Sequence, residues 1–260
     1  MFTCEDDFYQ KNQLGEFMLD QNGNRLEVAR PADSDGNMYE ISPSSIWVGD
    51  YIYEDVNGDG VIDEHDRKYI GDPNPDFTFG INNVITWKDF ELSFFFNGSV
   101  GNDVYNFVRQ QHTDPMGWGN KMADVADYAR IEMRDPNGAV TDLSNVYVGN
   151  PSSAKVQRIT ANGQNMNDNN RVSTRFVEDG SYIRLKTLSL AWNLPKAWLK
   201  PLKLDWVQVY GNVQNLFTIT SYKGFDPELG SINQNVKLQG LDNYRYPSQR
   251  IFNFGLKVSL

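Results

Sequence analysis

The chain has 260 residues and a formal net charge of −10, which argues against nucleic-acid binding, where phosphate contacts need clustered Lys and Arg. Its single cysteine, Cys4, excludes an internal disulfide and a cysteine-based metal cluster. Aromatic residues make up 13% of the chain, and this Phe- and Tyr-rich composition favours strands over helices. No run of about 18 apolar residues occurs, so we expect no membrane-spanning helix. Membrane-spanning strands would leave no such run.

Residues 55–66 follow the pattern of a calcium-binding loop. Oxygen donors fall at loop positions one, three, five, nine and twelve, and Gly60 at position six permits a sharp turn. Alternate residues of a tight loop point inward, which suits a hard cation with about six to eight oxygen ligands. The predicted ligands are Asp55, Asn57, Asp59, the Val61 carbonyl, Asp63 and Asp66. Asp66 replaces the usual Glu at position twelve and predicts a structural calcium ion; the alternative is an acidic turn without metal.

Apolar and polar residues alternate with a period of two from residue 77 onward. The pattern predicts a hairpin of two strands of about ten residues joined by Lys88-Asp89. Further strands are predicted over residues 182–194, 204–217 and 251–260. Each strand has one apolar face and one mostly polar face, which Phe95 interrupts in the hairpin.

Short and long connections alternate between these strands, so all the long loops are expected at one end of the sheet. The short connections are Lys88-Asp89 and residues 195–201, and the long segments are 1–76, 99–181 and 218–249. This arrangement is typical of a transmembrane β-barrel. Residues near the strand ends are expected to form an aromatic girdle: Trp87, Trp192, Trp198 and Tyr210. The alternative fold is a soluble β-sandwich with the apolar faces as its core.

The long loops give weaker signals. Helical spacing of apolar residues predicts short helices over residues 103–109 and 122–133, and residues 150–170 are expected to be an exposed loop. His65 and His112 lie far apart without a metal or triad motif, so no catalytic residue is predicted. Exposed aromatic residues that could stack on sugar rings are Trp118, Tyr128, Tyr147 and Tyr222.

Several longer motifs carry a family resemblance. They are YEDVNGDGVID at residues 53–63, IGDPNPDFTFG at 70–80, FELSFFFNG at 90–98, VEDGSYIRLK at 177–186 and VYGNVQNLFTITSYKGFDPE at 209–228. In this order, over about residues 45–260, the chain resembles the C-terminal part of SusC/RagA-type TonB-dependent transporters.

The resemblance implies an outer-membrane transporter of Bacteroidetes that imports glycans or peptides, with a SusD-like surface lipoprotein as its lid. Such a transporter has a plugged barrel of about 22 strands. The implied fold is therefore all-β: about five C-terminal antiparallel strands of an incomplete transmembrane barrel, with long extracellular loops containing short helices. Residues 1–76 would be an extracellular loop region with the calcium loop, and residues 77–260 the C-terminal strands and loops.

The implied partners are the rest of the barrel and plug, the SusD-like lipoprotein, outer-membrane lipid and a glycan or peptide. TonB would be reached only through the N-terminal part of the transporter, which this chain lacks, and the chain alone is not expected to transport anything. Enzyme activity is not expected.

Two other functions are considered. One is a secreted, calcium-stabilised β-sandwich that binds carbohydrate. In that fold the apolar face of Phe90, Leu92, Phe94 and Phe96 would pack on a second sheet, whereas in a barrel it would face lipid. The other is a dockerin-like adaptor, which is disfavoured because Pro73 and Pro75 follow where a helix is needed.

Overall fold

The computed structural model describes residues 1–116, 119–160, 166–230, 235 and 238–260. These residues form two compact units, each assembled from two stretches of sequence. The first unit contains residues 1–69 and 109–172, and the second contains residues 70–108 and 173–260. None of the helices in these ranges is both long and apolar enough to cross a membrane. The assignment of residues 1–76 to an extracellular region stays a prediction.

The described residues are mostly β-structure with short helices. The strands are β1 (Arg30–Pro31), β2 (Val61–Ile62), β3 (Phe77–Trp87), β4 (Phe90–Val100), β5 (Asp103–Asn106), β6 (Ile131–Met133), β7 (Val146–Val148), β8 (Val177–Asp179), β9 (Tyr182–Asn193), β10 (Trp206–Thr220), β11 (Leu241–Asp242) and β12 (Ile251–Ser259). The α-helices are α1 (Phe107–Thr113) and α2 (Lys196–Leu199). Short 3₁₀ helices span Glu5–Phe8, Glu64–Asp66, Ala123–Asp127, Leu143–Asn145, Thr174–Phe176 and Lys200–Leu202.

The second unit is built on a five-stranded antiparallel sheet in the order β12-β10-β9-β4-β3. The predicted hairpin is confirmed, with Trp87 opposite Phe90 across the Lys88-Asp89 turn. The three later strands are confirmed within a few residues of their predicted ends. The sheet is open, because β3 and β12 each pair on one side only within the described residues.

The two faces of this sheet differ in chemistry, as the alternation predicts. Directly paired residues of neighbouring strands share a face, so Leu92 lies beside Leu190, and Val209 beside Leu256. A β-bulge in the first half of β9 keeps the apolar face continuous there. Phe94 pairs with Leu188 but Phe96 pairs with Leu185, so β9 has one residue more than β4 in that interval.

Glycines of the sheet accommodate aromatic rings from adjacent strands. A Cβ on Gly98 would lie 2.4 Å from the ring of Phe79, and one on Gly255 would lie 2.3 Å from the ring of Tyr210. The ring of Phe95 lies over Gly80 in the same way, 3.2 Å from where a Cβ would be. Phe95 therefore fills space on the polar face that Gly80 leaves open, which explains the interruption of the pattern.

The first unit has its own hydrophobic core. The rings of Phe2 and Phe8 stack with their centroids 4.0 Å apart, and both are buried with Trp47. The antiparallel pair β6 and β7 contributes Val146 and Val148 to this core. Residues at the start of the chain are therefore packed into the hydrophobic core of the first unit.

Tight turns at Asn12, Asp20 and Asp33 shape the rest of residues 9–38. In each, the side-chain Oδ1 accepts backbone N–H groups from the residues two and four positions later. The sequence pattern alone predicted only a loop for these residues.

Three predictions for the long loops need correction. Residues 103–109 begin as β5, because Asp103 to Tyr105 pair with β8, and the helix starts only at Phe107. Residues 122–133 form a 3₁₀ helix and β6 instead of an α-helix. Residues 150–170 are not simply exposed: Val156, Gln157, Arg158, Asn167 and Asn169 are buried.

Candidate functional site

Asp55 at the first position of the predicted cation loop holds the turn together. Its Oδ1 accepts the N–H of Gly58 at 2.6 Å, and its Oδ2 accepts the N–H of Gly60 at 2.9 Å. Both glycines have positive φ, +77° and +87°, a conformation that favours glycine. The backbone therefore makes the sharp turn that the sequence predicts.

The other carboxylates of the loop also bind amide groups. Asp66 accepts the N–H of Val56 and of Asp63, both at 2.8 Å, and so closes the loop. Asp59 accepts the N–H of Val61 at 2.9 Å and the side-chain amide of Asn57 at 2.8 Å. Within the described residues, no three Asp, Glu, His or Cys side chains are grouped so that they could hold a metal ion. The predicted ligands thus share one loop without forming a cage in this conformation.

The far side of the loop is anchored to the first unit through β1 and β2. Val61 pairs with Arg30 and Ile62 with Pro31 in a parallel arrangement, and Ile62 is buried. Asp63 instead faces His65, whose Nδ1 lies 3.0 Å from both carboxylate oxygens. Hydrogen bonding to Asp63 and its negative charge raise the pKa of His65, and the same contact lowers the pKa of Asp63.

An aromatic cluster lies at the short-turn end of the five-stranded sheet. The ring of Phe90 stacks on Trp192 at 5.8 Å between centroids and on Trp87 at 6.4 Å, and Trp198 meets Trp192 edge-on at 5.8 Å. Three of the four predicted girdle residues therefore come together.

Tyr210, the fourth predicted girdle residue, lies elsewhere. It pairs with Gly255 on the polar face, where Lys257 lies over its ring at 5.1 Å. Its placement in the girdle was wrong, because a residue between Val209 and Gly211 faces away from the apolar side.

An ion-pair network lies at the opposite, long-loop end of the polar face, with Arg184 and Asp226 buried and Lys186 and Glu228 partly exposed. Arg184 of β9 donates to Asp226, to Glu228 at 2.7 Å and to the hydroxyl of Thr218 at 2.8 Å. Lys186 donates to both oxygens of Glu228 at 2.7 Å. The network holds the loop after β10 against strand β9.

A cleft of about 530 Å³ adjoins this network. Its walls come from the segment before β3, the long-loop ends of β4 and β9, and the loops between β10 and β12. Lining residues include Pro73, Tyr182, Lys186, Glu228, Gln239 and Arg245. Nothing in the sequence pattern predicts this cleft, because its walls come from segments about 170 residues apart.

The predicted sugar-stacking residues are only partly available. Tyr222 is 6% exposed and its hydroxyl donates to Asp242, so its prediction as an exposed residue was wrong. Tyr128 and Tyr147 are partly exposed, and Arg130 and Arg134 lie over their rings. Trp118 lies outside the described residues.

Comparison with known proteins gives a consistent match. No family model matches the chain. A TonB-dependent receptor of Formosa agariphila is 36% identical over 274 aligned positions, which cover 97% of this chain and 24% of that protein. The TonB-dependent receptor SusC of Bacteroides thetaiotaomicron is 27% identical over 209 positions, which cover 80% of this chain and 17% of SusC. The chain belongs to the TonB-dependent receptors.

Solved structures agree with this family at the level of fold. A structure of the RagAB peptide importer in its open-open state superposes with a TM-score of 0.53 and 21% identity, over 96% of this chain and 25% of that one. Its closed-closed state gives a TM-score of 0.51 and 16% identity, over 99% and 22%. The chain spans about a quarter or less of the length of the curated relatives it matches. The open sheet is thus a segment of a TonB-dependent receptor fold.

Proposed function

We propose that this TonB-dependent receptor segment forms part of the wall and the extracellular loops of an outer-membrane barrel that imports glycans or peptides. The observation that carries the proposal is the exposed apolar face of the five-stranded sheet. Phe254 is 83% exposed and Leu256 is 61% exposed, although both lie on the continuous apolar face. A soluble sheet would bury such residues, whereas lipid would cover them in a barrel.

The strand dimensions support the same proposal. β3 and β4 have 11 residues each, and a strand of about 9–11 tilted residues crosses a bilayer core. Among the residues that the structure describes, the outer edges of β3 and β12 carry unpaired backbone groups, which lipid cannot satisfy. They would pair with the remaining strands of the barrel, of which this chain would supply the C-terminal part.

The partners follow from this location. The aromatic cluster of Trp87, Phe90, Trp192 and Trp198 would lie at the periplasmic interface, and the cation loop and the other long loops would lie outside the cell. The relatives named SusC and RagAB support a SusD-like surface lipoprotein as partner. TonB would act through other parts of the complete receptor. The role is non-enzymatic.

The loop at residues 55–66 would bind calcium as a structural ion. Its donor set suits a hard cation, with Asp55, Asn57, Asp59, Asp63, Asp66 and the Val61 carbonyl as ligands. The positive φ of Gly58 and Gly60 gives a sharp turn, which supports this proposal. The carboxylates would release the amide groups that they now bind and would coordinate the ion instead. The bound ion would stiffen a loop that contains few buried apolar residues.

The test is expression of the chain with an added export signal, followed by outer-membrane fractionation and a comparison of unheated and heated gel mobility. A detergent-requiring species whose mobility changes on heating supports the barrel wall. A soluble, monomeric product overturns it and favours the β-sandwich. Recovery of a co-expressed SusD-like lipoprotein with the chain tests the partner separately.

A further inference from the structure

The cleft at the long-loop end of the polar face has the size of a ligand site. Its volume of about 530 Å³ falls within the range of about 300–1,000 Å³ that small-molecule sites occupy. It opens beside residues that the proposed function places on the inner surface of the barrel. A ligand in this cleft would therefore lie on the import route.

The charges around the cleft do not balance. Arg184 and Lys186 are paired with Asp226 and Glu228, so these four charges compensate one another. Arg245 adds a further positive charge to the lining. Its guanidinium forms no hydrogen bond or ion pair with any residue of the described ranges. Its Nη1 would lie 3.6 Å from a Cβ on Gly230, so the side chain extends across that part of the wall.

An excess positive charge is unusual in this molecule, whose net charge is −10. A ligand entering the cleft meets an exposed guanidinium that is free to form two parallel hydrogen bonds with a carboxylate. The net negative charge of the chain would otherwise repel an anion. Attraction to the Arg245 guanidinium would therefore favour a ligand that carries a carboxylate at this position.

The remaining lining suits neutral polar groups. Asn102 and Gln239 contribute side-chain amides, and the exposed Ser248 contributes a hydroxyl. Pro73 and Pro75 add small, partly exposed apolar surfaces against which a sugar ring or a peptide side chain can pack. A ligand matching all these groups is a short oligomer rich in hydroxyls or amides that carries a carboxylate.

We propose that this cleft binds the carboxylate of a short polar oligomer, and that Arg245 recognises that charge. The proposal deepens the proposed import function and rests on it for the route by which the ligand arrives. Both acidic oligosaccharides and acidic peptides carry this shared chemistry.

The experiment measures binding to the detergent-solubilised chain by isothermal titration calorimetry. The oligosaccharide probes are trigalacturonate and galactotriose, and the peptide probes are triglutamate and triglutamine. We expect at least one acidic probe to bind about tenfold more tightly than its neutral counterpart at low salt, and the difference to shrink at high salt. The pair that shows the difference identifies the source of the carboxylate.

Two variants with the same charge change locate the effect. Arg245→Gln should abolish the preference for the acidic probe, whereas Arg250→Gln, outside the cleft lining, should retain it. The inference is overturned if no probe binds, if acidic and neutral probes bind equally, or if the two variants behave alike. A chain that fractionates with the outer membrane but fails this test leaves the proposed function intact. A soluble chain that shows the preference for an acidic probe, and loses it in Arg245→Gln, refutes the barrel proposal but supports the binding site in the cleft.

Discussion

Arg184 and Asp226 form a buried ion pair that joins strand β9 to a residue 42 positions further along the chain. The second oxygen of Asp226 accepts the backbone N–H of Ser248 at 2.8 Å. One carboxylate thus ties down both ends of the segment between residues 226 and 248. Loosening this contact would free the residues next to Asp226 and Ser248 that line the cleft.

Replacing Asp226 by Asn should therefore release this loop. The substitution leaves Arg184 buried with one anionic partner fewer, and breaking a buried pair costs about 3–5 kcal/mol. Limited proteolysis should cut the segment between residues 226 and 248 faster in Asp226→Asn than in the parent chain. Asp205→Asn, at an exposed position just before β10, is the control and should leave the cleavage rate unchanged. Equal rates in all three proteins would refute the tie.

The same carboxylate predicts a pH dependence. Burial raises the pKa of Asp226, but hydrogen bonds from Arg184 and from the backbone of Ser248 and Glu228 outweigh burial and lower it. Because the folded-state pKa is lowered, the contribution to stability is present above the unfolded value of about 3.9 and is lost as the pH falls through the folded value. Loop cleavage by an acid-active protease should rise below about pH 4 in the parent chain. In Asp226→Asn this rise should be absent.

The lipid face is tested by a charge placed on either side of β12. Leu256→Arg puts a cation on the exposed apolar face, which costs about 2–4 kcal/mol near the middle of a bilayer. Asn253→Arg puts the same charge on the polar face. We expect outer-membrane recovery to fall sharply for Leu256→Arg and to stay near the parent level for Asn253→Arg. Similar recovery of both would argue that neither face meets lipid.

Calcium binding is tested by thermal unfolding and calorimetry. A loop that binds calcium should stabilise the chain by about 2.7 kcal/mol when free calcium exceeds the Kd a hundredfold. The paired substitution Asp55→Asn with Asp59→Asn should remove this gain, because it deletes two predicted ligand charges. Asp20→Asn, in a turn outside the loop, should keep it. Magnesium at the same concentration should give a smaller gain, since it demands a stricter octahedral geometry.

Local patterns and distant contacts differ in how well the sequence predicts them. The strands around Phe90 and Leu256 could be predicted, because alternation alone assigns a residue to one of two faces. The conformation of the turn at Gly60 followed from glycine's access to positive φ. The burial of Tyr222 could not be predicted, because it depends on Asp242, 20 residues away.

The cleft could not be predicted from the sequence for the same reason, because it depends on contacts between distant segments. In the sequence Arg245 resembles any exposed loop cation, and only the fold brings it close to Gly230 and into the same cleft lining as Lys186. Pairing rules within strands carry no information about which loops meet.

Asp50 and Arg158 form a buried ion pair in the first unit, and its geometry depends on the neighbouring Gly49. The Arg158 guanidinium donates to both oxygens of Asp50 at 2.8 and 3.0 Å, and Asp50 is fully buried. Gly49, directly before Asp50, has φ +94°, and a Cβ there would lie 2.8 Å from the Cβ of Arg158. Gly49→Ala should therefore both strain the backbone and displace Arg158.

Gly23→Ala separates these two causes, because Gly23 has a similar φ of +82° but no atom within 4 Å of its added Cβ. The left-handed conformation alone costs about 1–2 kcal/mol, and overpacking adds about 1–3 kcal/mol. Hydrogen exchange at the buried Val146 and Val148 amides should therefore accelerate clearly more in Gly49→Ala than in Gly23→Ala. Equal acceleration would mean that Arg158 can move away from a Cβ at position 49 without loss of stability. The ion pair would then not depend on having glycine at that position.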